Sequence, residues 1–170
     1  VLWQISERFE LAPSSIDLAA FEQQMGGVME RENILAAVLR EVENVYDYVI
    51  VDCPPSVGLL TFNALRACTD VIVPVEMGYF SLHGLSKQLE TIKILADQCQ
   101  QQVNVMVLAS MYDIRTAMAI EILAELRKHF HGKMFQTVVN FNTKLKEAAS
   151  LYALPDELHR GSSVHRRSDN

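Results

Sequence analysis

Tyr46-Asp47-Tyr48-Val49-Ile50-Val51-Asp52-Cys53-Pro54-Pro55-Ser56 is the stretch on which the reading of this sequence turns. Residues 48–51 are aromatic or β-branched with no polar alternation, the pattern of a strand buried on both faces. Such a strand carries the next residue, Asp52, to the edge of a sheet. The prolines that follow cannot continue a ladder or enter a helix at once, so the backbone leaves the strand abruptly. In open α/β sheets ligands bind outside the carboxyl ends of the strands, and a carboxylate placed there suits a hydrated divalent cation. Asp52 is therefore the first candidate site residue, as a Mg²⁺ carboxylate. The bland alternative is that strands often end in Asp for reasons of turn geometry.

Working outward, residues 71–75 and 103–109 repeat the same unbroken apolar pattern, and 135–139 reads as a fourth strand. Residues 9–12 are a weaker strand candidate. Apolar stripes at helical spacing lie between them: Ile34, Leu35, Val38, Leu39 and Val42; then Leu82, Leu85, Leu89, Ile92 and Leu95; then Ile120, Ile122, Leu123 and Leu126. Residues 58–68 read as a shorter helix. Strands alternating with helices predict an α/β domain, a doubly wound and mostly parallel sheet with helices on both faces. Residues 1–158 are expected to form this domain, and 159–170, polar and basic, a flexible tail.

The composition fits one domain with a real core: 170 residues, 49% hydrophobic and 21% charged. A net charge of −6 argues against a surface that binds nucleic acid all over, while leaving room for a local basic patch. Cys53, Cys68 and Cys99 are odd in number and widely spaced, which points to neither a disulfide framework nor a zinc site, and Cys53 is expected to be buried. No apolar run reaches bilayer length, and a cytoplasmic location is the default expectation. Met106, Met111 and Met118 read as core filling, and His129 and His131 as surface residues near a helix end.

A phosphate cradle of the form Gly-x-x-x-x-Gly-Lys-Ser/Thr does not occur in these residues. Gly132-Lys133 continues into Met134 in a helix–strand turn, and Gly26-Gly27 lacks a lysine and follows a helix. The stretch from Tyr46 supplies half of a nucleotide-hydrolysing site without the other half.

Several motifs in order extend that half. Val57-Gly58-Leu59-Leu60-Thr61-Phe62-Asn63-Ala64-Leu65 continues the opening stretch, followed by Asp70-Val71-Ile72-Val73-Pro74-Val75 and Tyr79-Phe80-Ser81-Leu82. Met111-Tyr112-Asp113, Arg115-Thr116 and Asn142-Thr143-Lys144-Leu145-Lys146-Glu147-Ala148 come later, and Leu11-Ala12-Pro13-Ser14-Ser15 lies upstream. From about Phe9 to Ala153 the chain resembles the ParA-type partition ATPases of the deviant Walker family, with a P-loop NTPase-like fold. The MinD-type relatives share the fold, but Asp-Cys-Pro-Pro-Ser favours ParA, and a basic amphipathic membrane helix is lacking.

The resemblance implies an ATPase that uses ATP and Mg²⁺, forms a homodimer around ATP, binds DNA without sequence specificity and is stimulated by a ParB-like partner, with no membrane partner. Such proteins position plasmids, chromosomes or other cargo and are cytoplasmic, or nucleoid-associated where DNA binding is retained. By that likeness Asp52 binds the Mg²⁺ shell, directly or through water. Pro54, Asn140, Asn142 and Thr143 lie at the nucleotide, and Arg115, Lys144 and Lys146 form a phosphate-binding patch. The family's P-loop and water-orienting aspartate are expected N-terminal to residue 1, so these residues alone are expected to be inactive. Where the family has Pro-Arg-Asn, this chain reads Asn140-Phe141-Asn142. Two further readings remain: a non-catalytic adaptor that pairs with a complete ParA-type or ParB-like protein, and a remnant with an exposed sheet edge.

Overall fold

The computed structural model describes residues 2–54, 56–78, 81–144 and 147. They fall into two compact units, Val1–Gly26 with Asn142–Asn170, and Gly27–Phe141.

In the first unit, β1 (Trp3–Ser6) and β2 (Phe9–Leu11) pair antiparallel, Trp3 opposite Leu11, with an irregularity between Gln4 and Ser6. β2 answers to the weak strand expected at 9–12, and its partner β1 was not anticipated. Helix α1 (Asp17–Gln24) starts where Ser15 Oγ accepts the Asp17 amide at 3.2 Å, a local bond that satisfies one orphan donor of the first turn.

The second unit holds the parallel sheet. A 3₁₀ turn (Arg31–Asn33) leads into α2 (Ile34–Arg40), and α3 (Leu59–Ala67) packs against both. β3 (Asp70–Glu76) and β4 (Asn104–Ser110) pair in parallel, Val73 beside Val107, joined by the crossover helix α4 (Ser81–Gln98). Helix α5 (Ala117–His129) follows β4. Alternation along the strands puts Val73, Val75, Val107 and Ala109 on one face. There they share a core with Leu85 of α4 and Ala119, Leu123 and Leu126 of α5. On the other face Ile72 is 54% exposed. The α/β class, with a parallel sheet and helices, is as the sequence predicts.

Two expected strands differ. Residues 48–51 form no strand, and Tyr48 and Ile50 are 88% and 92% exposed. The apolar run carries the strand signal, but a strand exists only where a neighbour completes its hydrogen bonds, and among the described residues none does. Residues 135–139 run beside β4 without a continuous ladder. Phe135 donates to Val107 O at 2.9 Å and Val139 to Ala109 O at 2.9 Å, so four residues advance where β4 advances two. The excess makes a local bulge, and Arg127 takes up the Gln136 carbonyl there at 3.2 Å. Isolated parallel bridges at Val107–Met134 and Tyr112–Asn140 flank it. Among the described residues no helix is long and apolar enough to cross a membrane.

Candidate functional site

Asp52 follows the unpaired segment 48–51 and is exposed, as is Pro54 after it. Cys53, expected to be buried, is exposed instead, because the segment before it has no strand neighbour to cover its end. Its thiol lies 3.7 Å from the Val51 carbonyl, and partial desolvation, then the charge of Asp52, push it above the ordinary thiol range. Cys68 is half-buried and Cys99 buried, and burial raises both thiols. Raised thiols are poorer nucleophiles at neutral pH.

The loop after Asp52 ends at α3, which is the firmest part of its surroundings. Asn63 is 4% exposed, and all of its polar atoms are used. Its Oδ1 accepts the Leu35 amide at 3.0 Å, while Nδ2 donates to Arg31 O at 2.9 Å and Leu59 O at 3.0 Å. One side chain thereby ties α3 to the start of α2. Arg66, one turn on, donates to Asn33 Oδ1 at 2.8 Å and to the Cys99 carbonyl at the end of α4, with Glu32 4.0 Å away. Neither role was anticipated. The available signal was a polar residue in the mostly apolar run Phe62-Asn63-Ala64-Leu65, where a buried amide must find partners.

At the carboxyl edge of β4 the chain turns through Met111, whose φ of 51° is left-handed. Non-glycine residues held there cost about 1 kcal/mol or more and recur at functional edges. Met111 and Met118, expected in the core, are exposed, Met111 because this turn carries it off the sheet. Tyr112 then clamps the neighbouring segment, donating from its amide to Val139 O at 3.0 Å and accepting from Phe141 at 2.9 Å. This brings Asn140 and the Arg115 loop to the same edge.

Arg115 does not project freely. Its Nε donates to Asp113 Oδ1 at 2.8 Å and its Nη2 to Oδ2 at 2.6 Å, and its backbone amide also reaches Oδ1 at 3.0 Å. These bonds hold the Asp113 carboxyl at about 2, led by the guanidinium hydrogen bond, and raise the guanidinium in turn. Asp-x-Arg in the sequence was the missed signal: a two-residue spacing lets a carboxylate fork a following arginine.

Asn142, Thr143 and Lys144 belong to the first unit and are exposed. Asn142 Oδ1 accepts the Lys144 amide at 2.9 Å, an Asx bond that opens a helical turn. Lys146 lies outside the described residues.

A Mg²⁺ ion takes one or two carboxylates, keeps several waters and completes its shell on substrate phosphates. Among the described residues no group of three His, Cys, Asp or Glu side chains is placed to hold a metal, so a closed protein cage is absent there. The exposed carboxylate of Asp52 fits a hydrated Mg²⁺ of that open kind.

Comparison with known proteins completes the picture. The model of the AAA domain family matches residues 2–105. The sporulation initiation inhibitor protein Soj of Bacillus subtilis is 37% identical over 163 residues, covering 94% of this chain and 64% of that protein. The chromosome-partitioning ATPase Soj of Treponema pallidum is 37% identical over 157 residues, covering 92% and 62%. Among solved structures, cobyrinic acid a,c-diamide synthase from Mycobacterium smegmatis, with bound ADP and magnesium, superposes with a TM-score of 0.72 at 30% identity, over 94% of this chain and 65% of that one. A plasmid partition protein of Borrelia burgdorferi, at 15% identity and a TM-score of 0.68, shares the fold. The chain thus spans less than two thirds of the length of these relatives. With residues 2–105, more than half of the chain, matched by the family model, the chain belongs to the AAA domain family and, by its 37% identity to the Soj proteins, to the ParA-type branch of it.

Proposed function

We propose that this chain is part of an ATPase that binds ATP with Mg²⁺, dimerises around the nucleotide and positions a plasmid, chromosome or other cargo in the cytoplasm. The observation that carries the reading is the 37% identity to the Soj proteins over more than nine tenths of the chain. Asp52 contributes the Mg²⁺ carboxylate. Magnesium, when bound, would supply charge neutralisation across the phosphates, and the exposed Asp52 carboxylate would hold its hydration shell. Asn140, with Pro54, Asn142 and Thr143, lines the nucleotide in this reading.

A ParB-like protein is the partner that stimulates hydrolysis, and non-specific DNA is the track. Arg115, Lys144 and Lys146 are the phosphate contacts in this reading, acting by salt-dependent attraction. The Asp113 carboxylate fixes the direction of the Arg115 fork, and a DNA phosphate has to compete with it.

The test is ATP hydrolysis by the protein as its source cell makes it, beside its Asp52→Ala variant. Loss of Mg²⁺-dependent hydrolysis by a factor of about 100 or more is expected for removal of a metal carboxylate from a phosphoryl-transfer site. Unchanged hydrolysis in the variant overturns the assignment of Asp52. No nucleotide binding by the parent, with a stable complex to a complete ParA-type protein, leaves the adaptor reading in its place.

A further inference from the structure

The loop that follows Asp52 is exposed, yet one side chain reaches back to hold it. Thr61 Oγ1, in the first turn of α3, donates to the Ser56 carbonyl at 2.7 Å, five residues earlier. A threonine inside a helix ordinarily bonds a carbonyl three or four residues back within the same helix. Here the acceptor lies outside the helix, before its N-cap Gly58, which offers no capping side chain. Glu or Gln, the usual residue at this third helical position, accepts from the N-cap amide. A hydroxyl donor captures a loop carbonyl instead.

What the latch is fastened to gives it consequence. Two residues on, Asn63 is buried and ties α3 to the Leu35 amide at the start of α2 and to the Arg31 carbonyl of the 3₁₀ turn before it, so α3 cannot follow the loop. Fixing Ser56 to an anchored helix shortens the free span between Asp52 and the next constraint and removes conformations from it.

We propose that Thr61 is a positioning residue for Asp52: its hydroxyl latches Ser56 to α3 and so sets where the Asp52 carboxylate stands for a divalent cation. The proposal rests on the reading of Asp52 as the Mg²⁺ carboxylate. Thr61 touches neither metal nor nucleotide in this role.

The experiment compares the full chain with its Thr61→Val, Thr61→Ser and Asp52→Asn variants. Valine keeps the shape and removes the donor, and serine restores it. Amide exchange at Ser56, Val57 and Gly58 reads the latch, and binding of Mn²⁺ with ATP, followed by paramagnetic broadening at the Cys53 amide, reads the carboxylate. Loss of one such hydrogen bond should speed loop exchange about fivefold in Thr61→Val. Mn²⁺ affinity should fall with it, and both should return in Thr61→Ser, while Asp52→Asn loses Mn²⁺ and keeps the slow exchange. Unchanged exchange in Thr61→Val, or no rescue by serine, overturns the latch. Faster exchange with unchanged Mn²⁺ affinity reduces Thr61 to a structural tie and leaves the Asp52 reading intact. A parent chain that shows slow exchange but no Mn²⁺ effect at Cys53 overturns the Asp52 reading, and the positioning role with it.

Discussion

The pair Asp113–Arg115 is the clearest case in which one side chain sets the state of another. Two side-chain hydrogen bonds and one backbone amide converge on a single carboxylate, which is why it stays charged down to about pH 2. The folded value lies below the unfolded one of about 3.9, so the contribution to stability is present above that value and is lost as pH falls from about 4 through about 2. Arg115 is exposed and Asp113 half-buried, so salt screens part of the charge contribution and the geometric part persists. Substituting Arg115→Gln should move the Asp113 carboxyl up toward the ordinary range without reaching it, because the backbone amide of residue 115 still donates. A ¹³C carboxyl titration decides this, and an unmoved midpoint would show that the fork does not form in solution.

At the scale of elements, Asn63 separates what an apolar pattern can tell from what it cannot. Removing its amide in Asn63→Ala leaves the Leu35 amide and the Arg31 carbonyl without the partner they have here. These bonds are part-buried, so at about 0.5–1.5 kcal/mol net for each one lost, urea unfolding should show a loss of about 1–3 kcal/mol. A loss below about 0.5 kcal/mol would mean that water replaces the side chain and that α3 is not anchored through it. The helices and the β3–β4 pair were legible because their signals are periodic and local: Leu85, Leu123 and Leu126 fall on helical stripes, and Val73 and Val107 in unbroken β-branched runs. The bulge at 135–139 was not, since an excess of two residues in register depends on the facing strand. Within the candidate site, the sequence singles out Asp52 by its place after a strand-like run, whereas the structure leaves that run unpaired and Asp52 exposed. The Asp113 fork and the Thr61 latch were not singled out, because each depends on how a turn folds back on itself.

For the whole molecule, the distribution of apolar residues is uneven in a way that can be measured. Leu126 of α5 is fully buried in the core it shares with the sheet and Leu85 of α4, whereas Ile50, in an equally apolar run, is almost fully exposed. If both were in one packed core, their truncation would cost similar amounts. In the structure they do not share a core, so Leu126→Ala should destabilise this chain by about 2–5 kcal/mol. By contrast Ile50→Lys, at a site with no packing to lose, should change its stability by less than about 0.5 kcal/mol. Denaturant unfolding of both variants beside the parent tests the pair. A loss of several kcal/mol for Ile50→Lys would show that residues 48–51 are covered in solution. The carboxylate of Asp52 would then stand at the rim of a buried strand, where a lower local dielectric strengthens its hold on a divalent cation. The expected small change would instead keep Asp52 on a solvated segment, where its affinity for the cation rests on the order of the loop behind it and on the phosphates that complete the shell.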